Sequence, residues 1–120
     1  MMTGEINNLR AHLTLFVRGA GGQGNVEFTI DTGFTGAITL PPAACAALQL
    51  PRISRRFNYL ADGSRVRLNI HLLTVSVDGV EKDYEAIALE SDPLLGMAFL
   101  QGYEVCLRIA ENGTVFITPL

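Results

Sequence analysis

A chain of 120 residues, 48% apolar, is long enough for one compact domain and too short for two ordinary ones, so a single domain over 1–120 is expected. Its formal charge of −3, with nine Lys and Arg residues spread along the sequence, gives no basic stripe and argues against a nucleic-acid partner. No uncharged apolar run approaches a membrane span, and the polar stretch Met1 to Arg10 lacks the apolar core of a secretory signal; the expected setting is the cytoplasm, with no membrane partner.

The first clear element runs from His12 to Val17, where Leu13, Leu15 and Val17 share one parity, the period of a half-buried strand. A second strand is expected from about Asn25 to Ile30. Between them, Arg18 to Gly24 is glycine-rich and formally contains the Gly-x-Gly-x-x-Gly spacing of a dinucleotide site. That fingerprint works only when its glycines lead into a helix. Here they lead into a strand pattern, so a flexible hairpin loop is the expectation.

An extended pattern resumes at Ala37 to Leu40, and Pro41-Pro42 opens a short helix through Leu48, ended by Pro51. Arg52 to Arg56 is basic and irregular, which suggests a solvated connection. Asp62-Gly63, between strand-like Phe57 to Ala61 and Ser64 to Leu72, signals a hairpin. Val66, Leu68, Ile70 and Leu72 alternate with polar residues, but Leu73, Val75 and Val77 continue on the opposite parity; a bulge or a change of sheet near Leu72 is implied. Asp78-Gly79 marks another hairpin turn, Tyr84 to Leu89 a further strand, and Met97 to Gln101 one helical turn. Asn112-Gly113 closes a last hairpin between Glu104 to Ala110 and Thr114 to Thr118; its glycosylation-like triplet reads as a turn. Short strands joined by glycine-containing turns, with one or two short helices, indicate an all-β barrel or sandwich-like domain.

Cys45 and Cys106 lie far apart in apolar stretches without a Cys-x-x-Cys pattern or nearby His, so buried thiols are expected, with no metal and no cofactor. His12 and His71 fall on the polar parity of strands and read as solvated or edge residues. Glu81, Asp83, Glu85, Glu90 and Asp92 read as a solvated acidic face.

Asp31-Thr32-Gly33 ends an apolar strand and leads into Phe34-Thr35-Gly36. A carboxylate at such a position ends many strands as an Asx turn. It also suits peptide hydrolysis if a second carboxylate lies beside it. Two such groups about 3 Å apart cannot both ionise, so one holds a proton while the other activates water. Gly33 removes a Cβ from the approach to the carboxylates, and Gly36 relaxes the turn into the next strand. The tripeptide occurs once, so the second aspartate has to come from another copy of the chain.

With these residues in place, the chain resembles the retropepsin-like aspartic proteases, single-domain homodimeric relatives of pepsin. The resemblance covers roughly residues 10–118 and rests on the order strand plus Asp31-Thr32-Gly33, the Asp62-Gly63 hairpin, Leu94-Leu95-Gly96 and the short helix after it; small stand-alone prokaryotic members are most similar. It implies a retropepsin-like closed β-barrel, half of an acid protease, acting as a homodimer on a peptide or protein substrate. Asp31 would be catalytic, Thr32 would bond between the two loops, and Gly33 would lend a backbone amide. Leu95 and Gly96 would support the active-site loop. Tyr59, Ala61, Asp62 and Gly63 would belong to the substrate-covering flap over residues 58–66, although Tyr59 would equally pack under the hairpin. Residues 114–120 would join a dimer sheet. Phe34 stands where the family usually has Ala or Ser, which removes a hydroxyl from the dyad and implies activity nearer neutral pH; Met97 replaces a frequent Arg or Asn. A catalytically inactive peptide-binding or dimerisation module on the same scaffold is the alternative.

Overall fold

The alternation that marks strands in the sequence becomes burial in the computed structural model, which describes all of residues 1–120. In β2 (Arg10–Gly19) Ala11, Leu13, Leu15 and Val17 are buried while their neighbours face outward. The chain is mostly β, with β1 (Met2–Asn7), β3 (Gly22–Ile30), β4 (Ile38–Leu40), β5 (Arg52–Tyr59), β6 (Arg65–Val77), β7 (Val80–Ala88), β8 (Leu94–Leu95), β9 (Tyr103–Leu107) and β10 (Thr114–Pro119). Two short helices, α1 (Pro42–Ala47) and α2 (Met97–Leu100), complete it. No helix is long and apolar enough to cross a membrane.

The strands pair in the order β5-β6-β7-β4-β8-β3-β2-β1-β10-β9, and β6 pairs with β2 as well. That extra pairing links β2, β3, β8, β4, β7 and β6 in a ring. β5 and β9 remain the two strands with one free edge. One core of twenty buried residues lies inside, with Phe28, Phe99, Ile6 and Leu13 among its largest members. Phe99 of α2 meets the Tyr84 ring of β7 at a centroid distance of 4.8 Å.

The phase slip in β6 is a change of partner. Residues 65–71 pair with β5, whereas Thr74, Val75 and Ser76 pair with Arg18, Val17 and Phe16 of β2. The buried parity changes with it, from Leu68 and Ile70 to Leu73, Val75 and Val77. Pairing with β7 runs on without a break.

α1 starts at a proline, as expected, but its end is built by the backbone. Gln49 has φ +49°, and the amides of Gln49 and Leu50 donate to the carbonyls of Ala46 and Cys45 at 3.0 Å each, a Schellman pattern. Asp78 and Gly79 both take positive φ, 49° and 80°, the primed turn that suits a two-residue hairpin.

One strand is unforeseen and four expectations are corrected. Met1 to Arg10 carries a strand that no local pattern marks: β1 pairs with both β10 and β2, and Met2 and Ile6 enter the core. The glycine-rich stretch forms the expected hairpin, but most of it is strand rather than flexible loop. β2 and β3 pair up to Gly19↔Gly22, and a Cβ at Gly19 would collide with the carbonyl oxygen of Leu48 after α1, so Gly19 serves close packing. Arg52 to Arg56 is strand, part of β5. The basic residues are not evenly spread, since five of the nine (Arg52, Arg55, Arg56, Arg65, Arg67) lie on the β5–β6 hairpin. Cys106 is exposed on β9, while Cys45 is buried and its thiol pushed up by that burial.

Candidate active site

The loop 31–37 crosses from β3 to β4, and β8 lies between those two strands. Leu94 and Leu95 pair in parallel with Thr29 and Ile30 of β3 and antiparallel with Thr39 and Ile38 of β4. Thr39, the one buried polar side chain, accepts the Leu94 amide on its hydroxyl at 3.0 Å. Three β-strand segments thereby hold both ends of the loop.

Backbone hydrogen bonds then tie the loop to the start of α2. The Asp31 amide donates to the Leu95 carbonyl (2.9 Å) and the Gly96 amide to the Ala37 carbonyl (2.9 Å). The amides of Met97 and Ala98 donate to the Phe34 (2.8 Å) and Gly36 (3.1 Å) carbonyls. This approach requires a glycine at the buried position 96, where a Cβ would collide with the Gly36 carbonyl oxygen and stand 2.6 Å from that of Phe34. Leu95 and Gly96 are therefore in contact with the loop that carries Asp31.

Asp31 is half-buried, and Thr32 and Gly33 are exposed at the turn. The Gly33 amide donates to Asp31 Oδ1 at 2.9 Å, an Asx-type arrangement that fixes the carboxylate on its own loop. A Cβ on Gly33 would stand 3.2 Å from that same oxygen. Phe34 turns its ring onto two glycines, Gly36 and Gly96, and so fills the space their missing side chains leave.

Two hollows flank this loop. One, of about 570 Å³, is bordered by Thr32, Thr35, Met97, Leu100, Tyr103 and Val105 and is largely apolar. It reaches from the Asp31 loop to β9, whose outer edge is unpaired. The other, of about 330 Å³, places Asp31 beside Thr29, Arg10, Ser91 and Asp92. Arg10 Nη1 lies 3.5 Å from Asp92 Oδ2 in an exposed ion pair. Neither Arg10 nor Asp92 is marked by any local pattern. Their approach follows from the pairing of β8 with β3, which brings the residues before Leu94 alongside the end of β3.

The Asp62-Gly63 hairpin is present, with a wider tip than a two-residue turn. Tyr59 pairs with Arg65; the Leu60 amide donates to the Ser64 carbonyl at 2.8 Å, leaving Ala61, Asp62 and Gly63 at the tip. Gly63 has φ +85°, the left-handed conformation such a tip needs. Asp62 Oδ1 accepts from the Ser64 hydroxyl (2.6 Å) and amide (2.9 Å), and these bonds hold the Asp62 carboxyl below the usual carboxylate range. Tyr59 lies on the hairpin face opposite to that of Leu68 and Ile70, and is 74% exposed. It therefore does not pack under the hairpin.

No group of three His, Cys, Asp or Glu residues is placed to hold a metal ion. Residues 114–119 have both strand edges occupied, by β1 and β9, within one chain. No family model and no curated protein matches the sequence.

Proposed function

We propose that the chain is a retropepsin-like aspartic endopeptidase, a closed-barrel half that becomes complete as a homodimer. A water molecule would sit between Asp31 of one protomer and Asp31 of its partner. The ionised carboxylate takes a proton from this water as its oxygen adds to the peptide carbonyl carbon, and the protonated carboxylate gives its proton to the carbonyl oxygen. The tetrahedral adduct collapses when the amide nitrogen takes the proton that the first carboxylate gained from water and leaves as the amine, while the second carboxylate recovers a proton from an adduct hydroxyl as it becomes the acid product. The β5–β6 hairpin would cover the extended substrate, with Ala61, Asp62 and Gly63 at its tip.

What carries this reading is the lashing of the Asp31 loop to Leu95, Gly96 and the start of α2, which holds one carboxylate at the lip of the domain with little freedom. The apolar hollow beside Thr32 and the free edge of β9 offer the second copy a surface next to that carboxylate. The test joins light scattering with cleavage of a peptide library. A dimer whose turnover falls by about a thousandfold or more in Asp31→Asn is expected. A stable monomer, or turnover untouched by the substitution, would remove the reading.

The Gly33–Asp31 hydrogen bond favours a second reading, a peptide-binding or dimerisation module without catalysis, because it occupies one carboxylate oxygen as a turn residue would. That reading predicts no turnover at any pH and peptide binding that survives Asp31→Asn.

A further inference from the structure

The β5–β6 hairpin concentrates positive charge in a chain that is net negative. Of its five arginines only Arg56 is answered, by Glu85 of β7, with Nη2 2.7 Å from Oε2. Arg52, Arg55, Arg65 and Arg67 form no ion pair. The Arg52 charge, with a smaller push from Arg67, lowers the Arg55 guanidinium from its ordinary value. Like charges gathered in this way oppose one another until an anion joins them.

Register decides which side they occupy. Phe57 lies opposite Arg67 and Tyr59 opposite Arg65, so these four share a face with Arg55. The other face buries Leu68 and Ile70. The outer face thus alternates arginine with exposed aromatic surface, Phe57 at 52% and Tyr59 at 74%. The Arg65 guanidinium stacks 4.5 Å from the Phe57 ring centroid. β5 is also the last strand of the sheet, with its outward amides and carbonyls unpaired by any strand. Charges on an edge strand discourage self-association, and one or two suffice for that role. Three arginines without an ion pair, Arg55, Arg65 and Arg67, interleaved with two aromatics exceed it.

We propose that the free edge of β5 and the outer face of this hairpin bind an extended acidic segment of another protein, added as a further strand. Its main chain pairs with β5, an acidic side chain meets Arg55, and apolar side chains meet Phe57 and Tyr59. Arg65 and Arg67, one strand further in, add to the field. The open ladder favours a polypeptide over nucleic acid or lipid, since only a polypeptide matches alternating amides and carbonyls along a strand. The surface lies on the hairpin that covers the substrate in the proteolytic reading, and it deepens that reading by naming acidic, extended segments as the class the hairpin takes; it depends on the β5 edge and the arginines and not on a catalytic Asp31.

The probe is a fluorescein-labelled peptide alternating Glu and Val, followed by anisotropy with the whole protein. Binding is expected that weakens about tenfold or more at about 0.5 M salt and in the double variant Arg55→Glu/Arg67→Glu, with Arg55→Gln/Arg67→Gln as the milder pair if the first does not fold. A copy of the peptide N-methylated along one edge is expected to lose about tenfold or more through the missing ladder bonds. Absence of binding, or equal binding of the N-methylated peptide, would each overturn the proposal. So would tighter binding of oligothymidylate or phosphatidylserine vesicles through the same arginines.

Discussion

The Phe34 ring lies against Gly96 so closely that a Cβ on the glycine would stand 2.5 Å from Phe34 Cδ2. Two further carbonyls crowd the same position, whereas at Gly36 all three nearest obstacles are atoms of the Phe34 ring. The two glycines should therefore respond differently to an added methyl. Gly36→Ala and Gly96→Ala are each expected to cost about 1–3 kcal/mol in urea denaturation. Combined with Phe34→Ala, Gly36→Ala should recover about 1 kcal/mol of coupling. Gly96→Ala should recover little, because its main obstacles are backbone; equal rescue at both positions would contradict the packing described.

Phe99 anchors α2, and with it the hydrogen bonds that reach back to Phe34 and Gly36. It is 1% exposed and packs against Tyr84. Phe99→Ala is expected to lower stability by about 3–5 kcal/mol. Under the proteolytic reading the surviving folded protein should also turn over more slowly, through a less fixed Asp31 loop.

The hairpin tip is held by Asp62, Gly63 and Ser64 rather than by burial. Gly63→Ala, at φ +85°, is expected to cost about 1 kcal/mol of strain. Asp62→Ala removes both bonds to Ser64 and should raise amide exchange at residues 60–64 without moving the global melting temperature. Unchanged exchange there would mean the tip is ordered by something other than these bonds.

Glu81 accepts two hydrogen bonds from Arg18, at 3.1 and 2.7 Å, tying β7 to β2. The Arg18 hydrogen bond is the main cause that lowers the Glu81 pKa from its ordinary value of 4.5. A carboxyl lowered by folding adds stability above its unfolded value, and the gain is lost as pH falls through the folded one. Denaturation curves of wild type and Glu81→Gln should thus differ near neutrality and converge below pH 4.5. Both groups are exposed, so the difference should shrink with salt.

Much of the fold was legible wherever one strand face is buried. β2 shows it in Leu13, Leu15 and Val17, and the primed turn at Asp78-Gly79 follows from residue type alone. Arg52 to Arg56 escaped because a strand exposed on both faces has no apolar period. β1 escaped because its burial rests on two residues, Met2 and Ile6, and on neighbours more than a hundred positions away in sequence. Cys106 sits on the outward side of an edge strand, which apolar context does not reveal. At the candidate site, Asp31, Leu95 and Gly96 were legible as a motif set, and the structure brings them together. Arg10 and Asp92 became visible only through the parallel pairing of β3 with β8.

Under the proteolytic reading, catalysis needs an Asp31 from each of two chains. Wild-type protein mixed and equilibrated with Asp31→Asn at constant total concentration tests it directly. If both carboxylates are required, peptidase activity falls as the square of the wild-type fraction, to about one quarter at equal amounts. Activity that falls in simple proportion, to about one half, would show that a single protomer suffices and would contradict the account.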